Sequence, residues 1–118
     1  MDILGTSLRV CVDDLDAAVP AYERLASTEA VRFAQGPVSV AAVGPFVLMS
    51  GPSEHLEILR KIAATLAVKD VGEAVADLEA VGAQIVAGPK ETPVGRSVIA
   101  RHPDGSVFEY VDRQETGG

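Results

Sequence analysis

The pattern of apolar and polar residues at the start of the chain predicts a strand followed by a helix. Residues 8–12 form a short strand-like run, and after Asp14 apolar side chains recur at helical spacing from Leu15 to Leu25. Asp14 is a good N-cap, because its carboxylate can accept hydrogen bonds from the free amides of the first turn. Pro20 falls inside this helix and is expected to bend it.

The same pattern returns in the second half of the chain. Aligning Val12 with Val68 also matches Asp14 with Asp70, and the other identical pairs are Ala18 with Ala74, Val19 with Val75 and Glu23 with Glu79. This indicates an internal duplication. Chance similarity between two amphipathic helices is the alternative. Asp70 is the second predicted N-cap, and Gly82 is expected to end its helix with a positive φ angle.

Each predicted helix is followed by three further strands. An extended stretch closes in Gly36-Pro37 in the first copy and in Gly88-Pro89 in the second. The remaining strands are predicted at 38–43 and 46–50, and then at 96–101 and 107–112. Each copy therefore reads βαβββ.

The predicted organisation is a single α+β domain over residues 1–118. Its parts are module 1 at about 5–50, a linker at 51–62, module 2 at about 63–112 and a tail at 113–118. One helical turn is expected around residues 55–59 in the linker, and the end of the tail is expected to fray.

Composition narrows the classes of function. The chain has 118 residues, of which 47% are hydrophobic and 23% charged, as expected for a packed globular core. A net charge of −7 without a basic run argues against nucleic-acid binding. The longest apolar run, 38–49, is broken by Gly44-Pro45 and is shorter than the about 20 residues of a membrane span. A single cysteine, Cys11, and a start without a secretory signal predict a cytoplasmic protein without disulfides.

The end of the chain resembles the closing hairpin of a known superfamily. Gly95-Arg96 leads into a strand, His102-Pro103-Asp104-Gly105 makes a tight turn, and residues 107–111 form the last strand. With the βαβββ repeat, this is similar to the vicinal oxygen chelate superfamily, which includes glyoxalase I, bleomycin-resistance proteins and extradiol dioxygenases. The resemblance implies two curved mixed sheets, a homodimer, and a cavity lined by alternate strand residues that holds a divalent metal in the enzymes.

On the implied architecture, strand alternation assigns the candidate ligand-binding side chains of the cavity. They are Ser7, Arg9, Cys11, Leu48, Ser50, Ala63, Thr65, Arg96 and Glu109. Glu109 matches the terminal carboxylate ligand of the family. The other three ligand positions fall on Ser7, on Leu48 or Ser50 depending on register, and on Ala63.

None of those three positions carries a typical metal ligand, so neither a metal centre nor another cofactor is expected. The histidines, His55 and His102, are expected in loops, and a metal site recruited around them is the alternative.

Two cavity residues have competing interpretations. An inward-facing Glu109 needs a partner, for which Arg9 is the first candidate and Arg96 or Arg101 are alternatives, unless Glu109 is simply hydrated at the strand end. Cys11 is either a small hydrophobic residue or a thiolate favoured by Arg9.

Three functions are compatible with these residues. The first is a metal-free protein that binds and sequesters a small molecule, such as an antibiotic or a hydrophobic metabolite. The second is a lyase, isomerase or dioxygenase that uses an atypical site around Glu109. The third is a dimeric accessory module with a vestigial cavity. The sequence leaves open whether the chain is an enzyme, and it assigns no catalytic residue.

Overall fold

The computed structural model describes residues 1–92 and 95–112; the tail expected to fray lies outside these residues. Along this part of the chain the element order is β1-α1-β2-β3-β4, α2, and β5-α3-β6-β7-β8. The α+β class and the two βαβββ modules are thus confirmed. The chain forms two compact units, an amino-terminal unit of residues 7–61 and a carboxy-terminal unit of residues 1–6 with those from 62 onward.

The bounds of β3, β4 and β8 match those predicted, whereas β1 begins earlier and β6 continues further. The helices are α1 Leu15–Ala26, α2 Ser53–Leu59 and α3 Val71–Ala80. The strands are β1 Ile3–Cys11, β2 Val31–Gln35, β3 Val38–Val43, β4 Phe46–Ser50, β5 Ala64–Val68, β6 Gln84–Thr92, β7 Gly95–Arg101 and β8 Val107–Asp112. Among residues 1–92 and 95–112, no helix combines the length and the apolar character that a membrane crossing requires.

The amino-terminal unit has the strand order β2-β3-β4-β1, in which β1 runs parallel to β4 and the other pairs are antiparallel. Helix α1 covers one face of this sheet, where Leu15 and Val19 pack with Leu48. On the opposite face, Met49 packs with Leu56 of α2. The sheet therefore has one core on each side.

The carboxy-terminal unit repeats this arrangement in the order β5-β8-β7-β6, with β5 parallel to β8. Leu78 of α3 packs against Val98 and Tyr110, and Phe108 lies beside this core. Phe108 and Tyr110 thus lie on the helix side of β8. Residues that alternate with them along β8 lie on the other face.

The predicted helix caps are present. The Asp14 side chain accepts from the Ala17 amide at 3.2 Å, and the Asp70 side chain accepts from the Glu73 amide at 3.1 Å. Gly82 follows α3 with a φ of 84°. Helix α1 continues through Pro20.

One turn prediction was wrong. Gly88-Pro89 does not close a strand but lies inside β6. The pairing of β6 with β7 shifts register twice, between Ile85 and Ala87 and between Ala87 and Lys90. Gly88, with a φ of 83°, lies within the second shift. A local bulge thus lets the strand continue through a dipeptide that normally ends one.

Candidate functional site

The Glu109 carboxylate is held by hydroxyl groups on both flanking strands. Thr65 of β5 donates from Oγ1 to Glu109 Oε1 at 2.9 Å. Ser97 of β7 donates from Oγ to Glu109 Oε2 at 2.9 Å. Glu109 is partly buried and Ser97 is only 2% exposed. Each carboxylate oxygen therefore has its own hydroxyl donor.

Glu109 lies on the face of the carboxy-terminal sheet that is turned away from α3, since its neighbour Tyr110 packs on that helix. We call this surface the Glu109 face. Alternation and strand register place on it Thr65, Ala67, Gln84, Ala87, Lys90, Thr92, Ser97, Ile99, Arg101, Val107, Glu109 and Val111. Around the carboxylate and its two hydroxyl donors, the side chains of β5, β7 and β8 are small or aliphatic, whereas β6 and the end of β7 contribute Gln84, Lys90 and Arg101. The Glu109 face is thus aliphatic next to its carboxylate and polar along β6. The candidate Ala63 immediately precedes β5, is exposed, and donates its amide to Val107 O at 2.8 Å.

Arg96, a candidate for this cavity, lies on the opposite surface. Its Nη2 donates to Asp112 Oδ2 at 2.8 Å, and its backbone amide donates to Asp112 Oδ1 at 3.3 Å. Arg96 and Val98 are two residues apart in β7, so their side chains point to the same face of the sheet. Because Val98 packs on α3, the Arg96 side chain points away from Glu109. This corrects the expectation that Arg96 lines the cavity. The alternative partner Arg101 donates to Gln84 Oε1 at 3.5 Å in an exposed position.

Asp112 is a buried carboxylate that the sequence did not single out. It is 1% exposed and also accepts from the Val71 amide, at 2.7 Å, at the start of α3. Burial raises its pKa, but the bonds from Val71 and Arg96 outweigh burial and leave the pKa below its usual value. The same pair raises the pKa of Arg96. Asp112 thus ties β7, β8 and α3 together.

Leu48 also lies elsewhere than expected. It is fully buried against α1, whereas its neighbours Val47 and Met49 face the other side of β4. This corrects the assignment of Leu48 to a cavity. Because residues 46–49 are all apolar, the sequence does not show which of their side chains face α1 and which face the other side of the sheet.

Ser50 opens onto a cleft of about 510 Å³ in the amino-terminal unit. The charged side chains of this cleft are those of Asp13, Asp14, Asp16 and Arg32. Asp14 caps α1, and Asp16 forms an ion pair with Arg32. Capping and ion pairing therefore account for three of these charges.

The β1 candidates lie on the side of β1 away from α1. Val10 and Val12 pack beside the α1 core, and Cys11 packs with the cluster around Met49. Ser7 and Arg9 share the parity of Cys11, and Arg9 Nη2 lies 3.5 Å from Met49 Sδ. The packing of Cys11 fits its interpretation as a small hydrophobic residue. The pairing of Arg9 with Glu109 stays a prediction.

The two histidines have separate surroundings. His55 is exposed on α2, and His102 lies in the turn between β7 and β8. His102 Nε2 is 2.6 Å from the Tyr110 hydroxyl, and the His102 ring packs on Phe108 at 4.6 Å between centroids. Burial raises the pKa of Tyr110. In the same turn, the Asp104 side chain accepts from the Ser106 amide at 2.9 Å.

The donor groups around Glu109 do not fit a divalent metal. Such ions require three or more converging imidazole, thiolate or carboxylate ligands, and the Thr65 and Ser97 hydroxyls beside Glu109 are not of these types. Within residues 1–92 and 95–112, no three His, Cys, Asp or Glu side chains are grouped to hold a metal ion. We therefore derive no metal-dependent step for this chain.

Sequence reasoning missed Ser97 and Asp112 for a physical reason. Residues 98–100 are all apolar, so alternation does not tell which face of β7 each side chain occupies. The register with β8 decides this, since Ser97 pairs with Val111 and Arg96 with Asp112. Register is a tertiary property that the pattern of one strand does not contain.

Comparison with known proteins identifies the fold. No family model and no curated protein matches the chain. Among solved structures, an uncharacterized protein from Methanosarcina mazei is 37% identical, with a TM-score of 0.92 over 100% of this chain and 98% of that one. Methylmalonyl-CoA epimerase from Mycobacterium tuberculosis is 19% identical, with a TM-score of 0.73 over 96% and 90%.

A further similar structure is a methylmalonyl-CoA epimerase variant from Streptomyces coelicolor in complex with 2-nitronate-propionyl-CoA. It is 19% identical, with a TM-score of 0.73 over 100% of this chain and 99% of that one. These epimerases belong to the vicinal oxygen chelate superfamily, and their likeness defines the fold. The chain therefore belongs to the family of the uncharacterized Methanosarcina mazei protein and has the vicinal oxygen chelate fold that its closing hairpin predicts.

Proposed function

We propose that this chain is a small-molecule-binding protein that recognises its ligand without a divalent metal, at the Glu109 face. The observation that carries the proposal is the pair of hydroxyl bonds to Glu109 from Thr65 and Ser97. Ligand sites are mostly apolar surfaces with a few fixed polar groups that orient the ligand. The part of the Glu109 face that surrounds the carboxylate has this composition.

The ligand class that we favour is a hydrophobic metabolite or an antibiotic, sequestered rather than converted. Aliphatic side chains such as Ile99, Val107 and Val111 supply contact area, and the carboxylate supplies one oriented acceptor. The Thr65 and Ser97 hydroxyls each donate a hydrogen bond to this carboxylate and so contribute to stabilising it.

A thermal-shift screen tests the proposal. The compounds are glycopeptide antibiotics, polycyclic aromatics and 2-oxo acid thioesters, because a ligand that binds only the folded state raises the melting temperature. We expect one class to raise the melting temperature of the wild type and to lose much of this effect in Glu109→Gln. Glu79→Gln, at an exposed position of α3, is the matched control and should behave as wild type. Equal shifts in Glu109→Gln and wild type would contradict the proposed site.

Metal analysis tests the other half of the proposal. We expect purified protein to contain no stoichiometric metal, and Zn, Ni, Mn and Fe salts to leave its melting temperature unchanged. One bound metal per chain, lost in Glu109→Gln, would instead support a metal-dependent protein.

An enzyme of the epimerase or isomerase type is the second candidate. The fold shared with methylmalonyl-CoA epimerases favours it, with Glu109 as acid or base. Incubation with methylmalonyl-CoA in D₂O separates the two functions, because an epimerase exchanges the proton between the carbonyl groups for deuterium. A binding protein leaves this proton in place, whereas exchange that is lost in Glu109→Gln would favour the enzyme.

A further inference from the structure

The two hydroxyl bonds to Glu109 come from opposite sides of its strand. Thr65 is the direct partner of Glu109 in the parallel pairing of β5 with β8. Ser97 is diagonal to it on β7, because Ile99 pairs with Glu109 and Ser97 pairs with Val111. Diagonal neighbours are within reach of a long side chain. Glu109 is thus held between its two neighbouring strands.

This arrangement opposes rotation of the carboxylate. Thr65 binds Oε1 and Ser97 binds Oε2, so turning the group about its last bond stretches both hydrogen bonds. Because the Ser97 side chain is nearly inaccessible to solvent, losing its bond to Glu109 would leave a buried hydroxyl unsatisfied. Both effects favour a single orientation of the carboxylate.

We propose that Thr65 and Ser97 are positioning residues that fix the plane of the Glu109 carboxylate for the ligand. Hydrogen bonds from neighbouring residues orient the functional groups of a site, and Thr65 and Ser97 supply such a bond to each oxygen of Glu109. A group fixed before binding loses less entropy when the ligand arrives, which increases affinity. This inference rests on the proposed function, because it assumes that a small molecule binds to the oriented carboxylate.

NMR of the Glu109 γ-methylene protons tests the inference. In wild type the two protons should give separate signals, because a single side-chain conformation places them in different surroundings. Thr65→Val and Ser97→Ala should each reduce the separation, and the double variant should reduce it further. The conservative variants Thr65→Ser and Ser97→Thr retain a donor and should restore it. A merely stabilising role would change the melting temperature and leave the separation intact.

A wild-type measurement keeps the test decisive if a variant does not fold. The shielded Ser97 hydroxyl proton should exchange slowly and show a nuclear Overhauser effect to the Glu109 γ protons. Rapid exchange, or an unchanged separation in the double variant, would overturn the positioning role.

The NMR test and the thermal-shift screen together distinguish a failure of the positioning role from a failure of the proposed binding function. If the NMR pattern is as expected and no compound in the thermal-shift screen binds, the positioning role stands and the binding function falls. If a compound binds at the Glu109 face while the NMR pattern is absent, the binding function stands and the positioning role falls.

Discussion

Two carboxylates of β8 lie on opposite faces of the strand and have different partners. Glu109 accepts from the neutral hydroxyls of Thr65 and Ser97, whereas Asp112 accepts from a guanidinium and from the first amide of α3. Asp112 is 1% exposed and its bonds join β7, β8 and α3, whereas Glu109 lies on the face turned away from α3. We therefore assign Asp112 a role in stability and keep Glu109 as the proposed ligand-binding residue.

Replacing Asp112 should destabilise the protein. Asp112→Asn removes the charge that pairs with Arg96 and presents an amide to the Val71 N–H donor, so we expect a loss of about 3 kcal/mol in the free energy of unfolding. Urea denaturation measures the loss. Glu79→Gln makes the same change of charge at an exposed position and should be near neutral. A loss in Asp112→Asn as small as that in Glu79→Gln would contradict the structural role.

The same carboxylate predicts a pH dependence. Its pKa in the folded protein lies below the unfolded value of about 3.9, so the stabilisation is complete above that value and disappears as the pH falls through the folded pKa. Urea denaturation over a pH series should show wild type losing its advantage over Asp112→Asn in acid. A difference that persists unchanged at the lowest pH would contradict this.

At the scale of elements, each module depends on local signals at the ends of its helices and turns. Asp14 and Asp70 cap α1 and α3 in equivalent positions, and the turn before β8 is closed by Asp104 and by Gly105 with a φ of 94°. These residues act through their own backbone neighbours. Their roles were therefore predictable before the tertiary contacts were known.

Removing the first cap should weaken α1 by a modest amount. Asp14→Ala loses the bond to the Ala17 amide, and we expect a decrease of about 1 kcal/mol in the free energy of unfolding. Asp14→Asn keeps a side-chain acceptor and should stay close to wild type in the same urea denaturation. Equal losses in both variants would show that the charge, rather than the cap, matters.

Adding a side chain at Gly88, in the irregular part of β6, should destabilise the protein. A Cβ atom at Gly88 would lie 2.5 Å from the Ser97 carbonyl oxygen, on a backbone with positive φ. We expect Gly88→Ala to destabilise the protein by more than about 2 kcal/mol. Gly5→Ala is the control, because nothing lies within 4 Å of its added Cβ. Calorimetry of both variants measures the difference, and similar melting temperatures would refute this account.

At the scale of the whole molecule, the βαβββ module occurs twice, and the side chains on the sheet faces differ between the two copies. The amino-terminal sheet is covered on both faces, by α1 and by α2. The carboxy-terminal unit has its core on the α3 side and the Glu109 face on the other. Duplication thus repeats the backbone plan, and substitutions in the second copy supply the candidate site.

Homodimer formation stays a prediction from the family resemblance. Exposed apolar side chains on the outer strands, Val31 of β2 at 67% and Val86 of β6 at 50%, are compatible with a protein interface. Sedimentation analysis should give twice the chain mass of 12.3 kDa. A mass of one chain at all concentrations would rule out the dimer and, with it, the dimeric accessory module.

Much of the fold was predictable because its strands are bracketed by strong turns. The bounds of β3, β4 and β8 match the predicted ranges, since Gly44-Pro45 and the turn at His102 leave little freedom. The early start of β1, at Ile3, was not predicted, nor was the continuation of β6 through Gly88-Pro89. Backbone pairing with other strands decides both, and it overrides local preference.

The sequence by itself determined the repeat, the helix caps and the closing turn, because these depend on residue type and short spacing. Only the tertiary structure decided the partners of the two β8 carboxylates. Ser97 and Arg96 are adjacent in β7, yet one binds Glu109 and the other binds Asp112. Strand alternation sends neighbouring side chains to opposite faces, and the register between β7 and β8 decides which carboxylate each one meets.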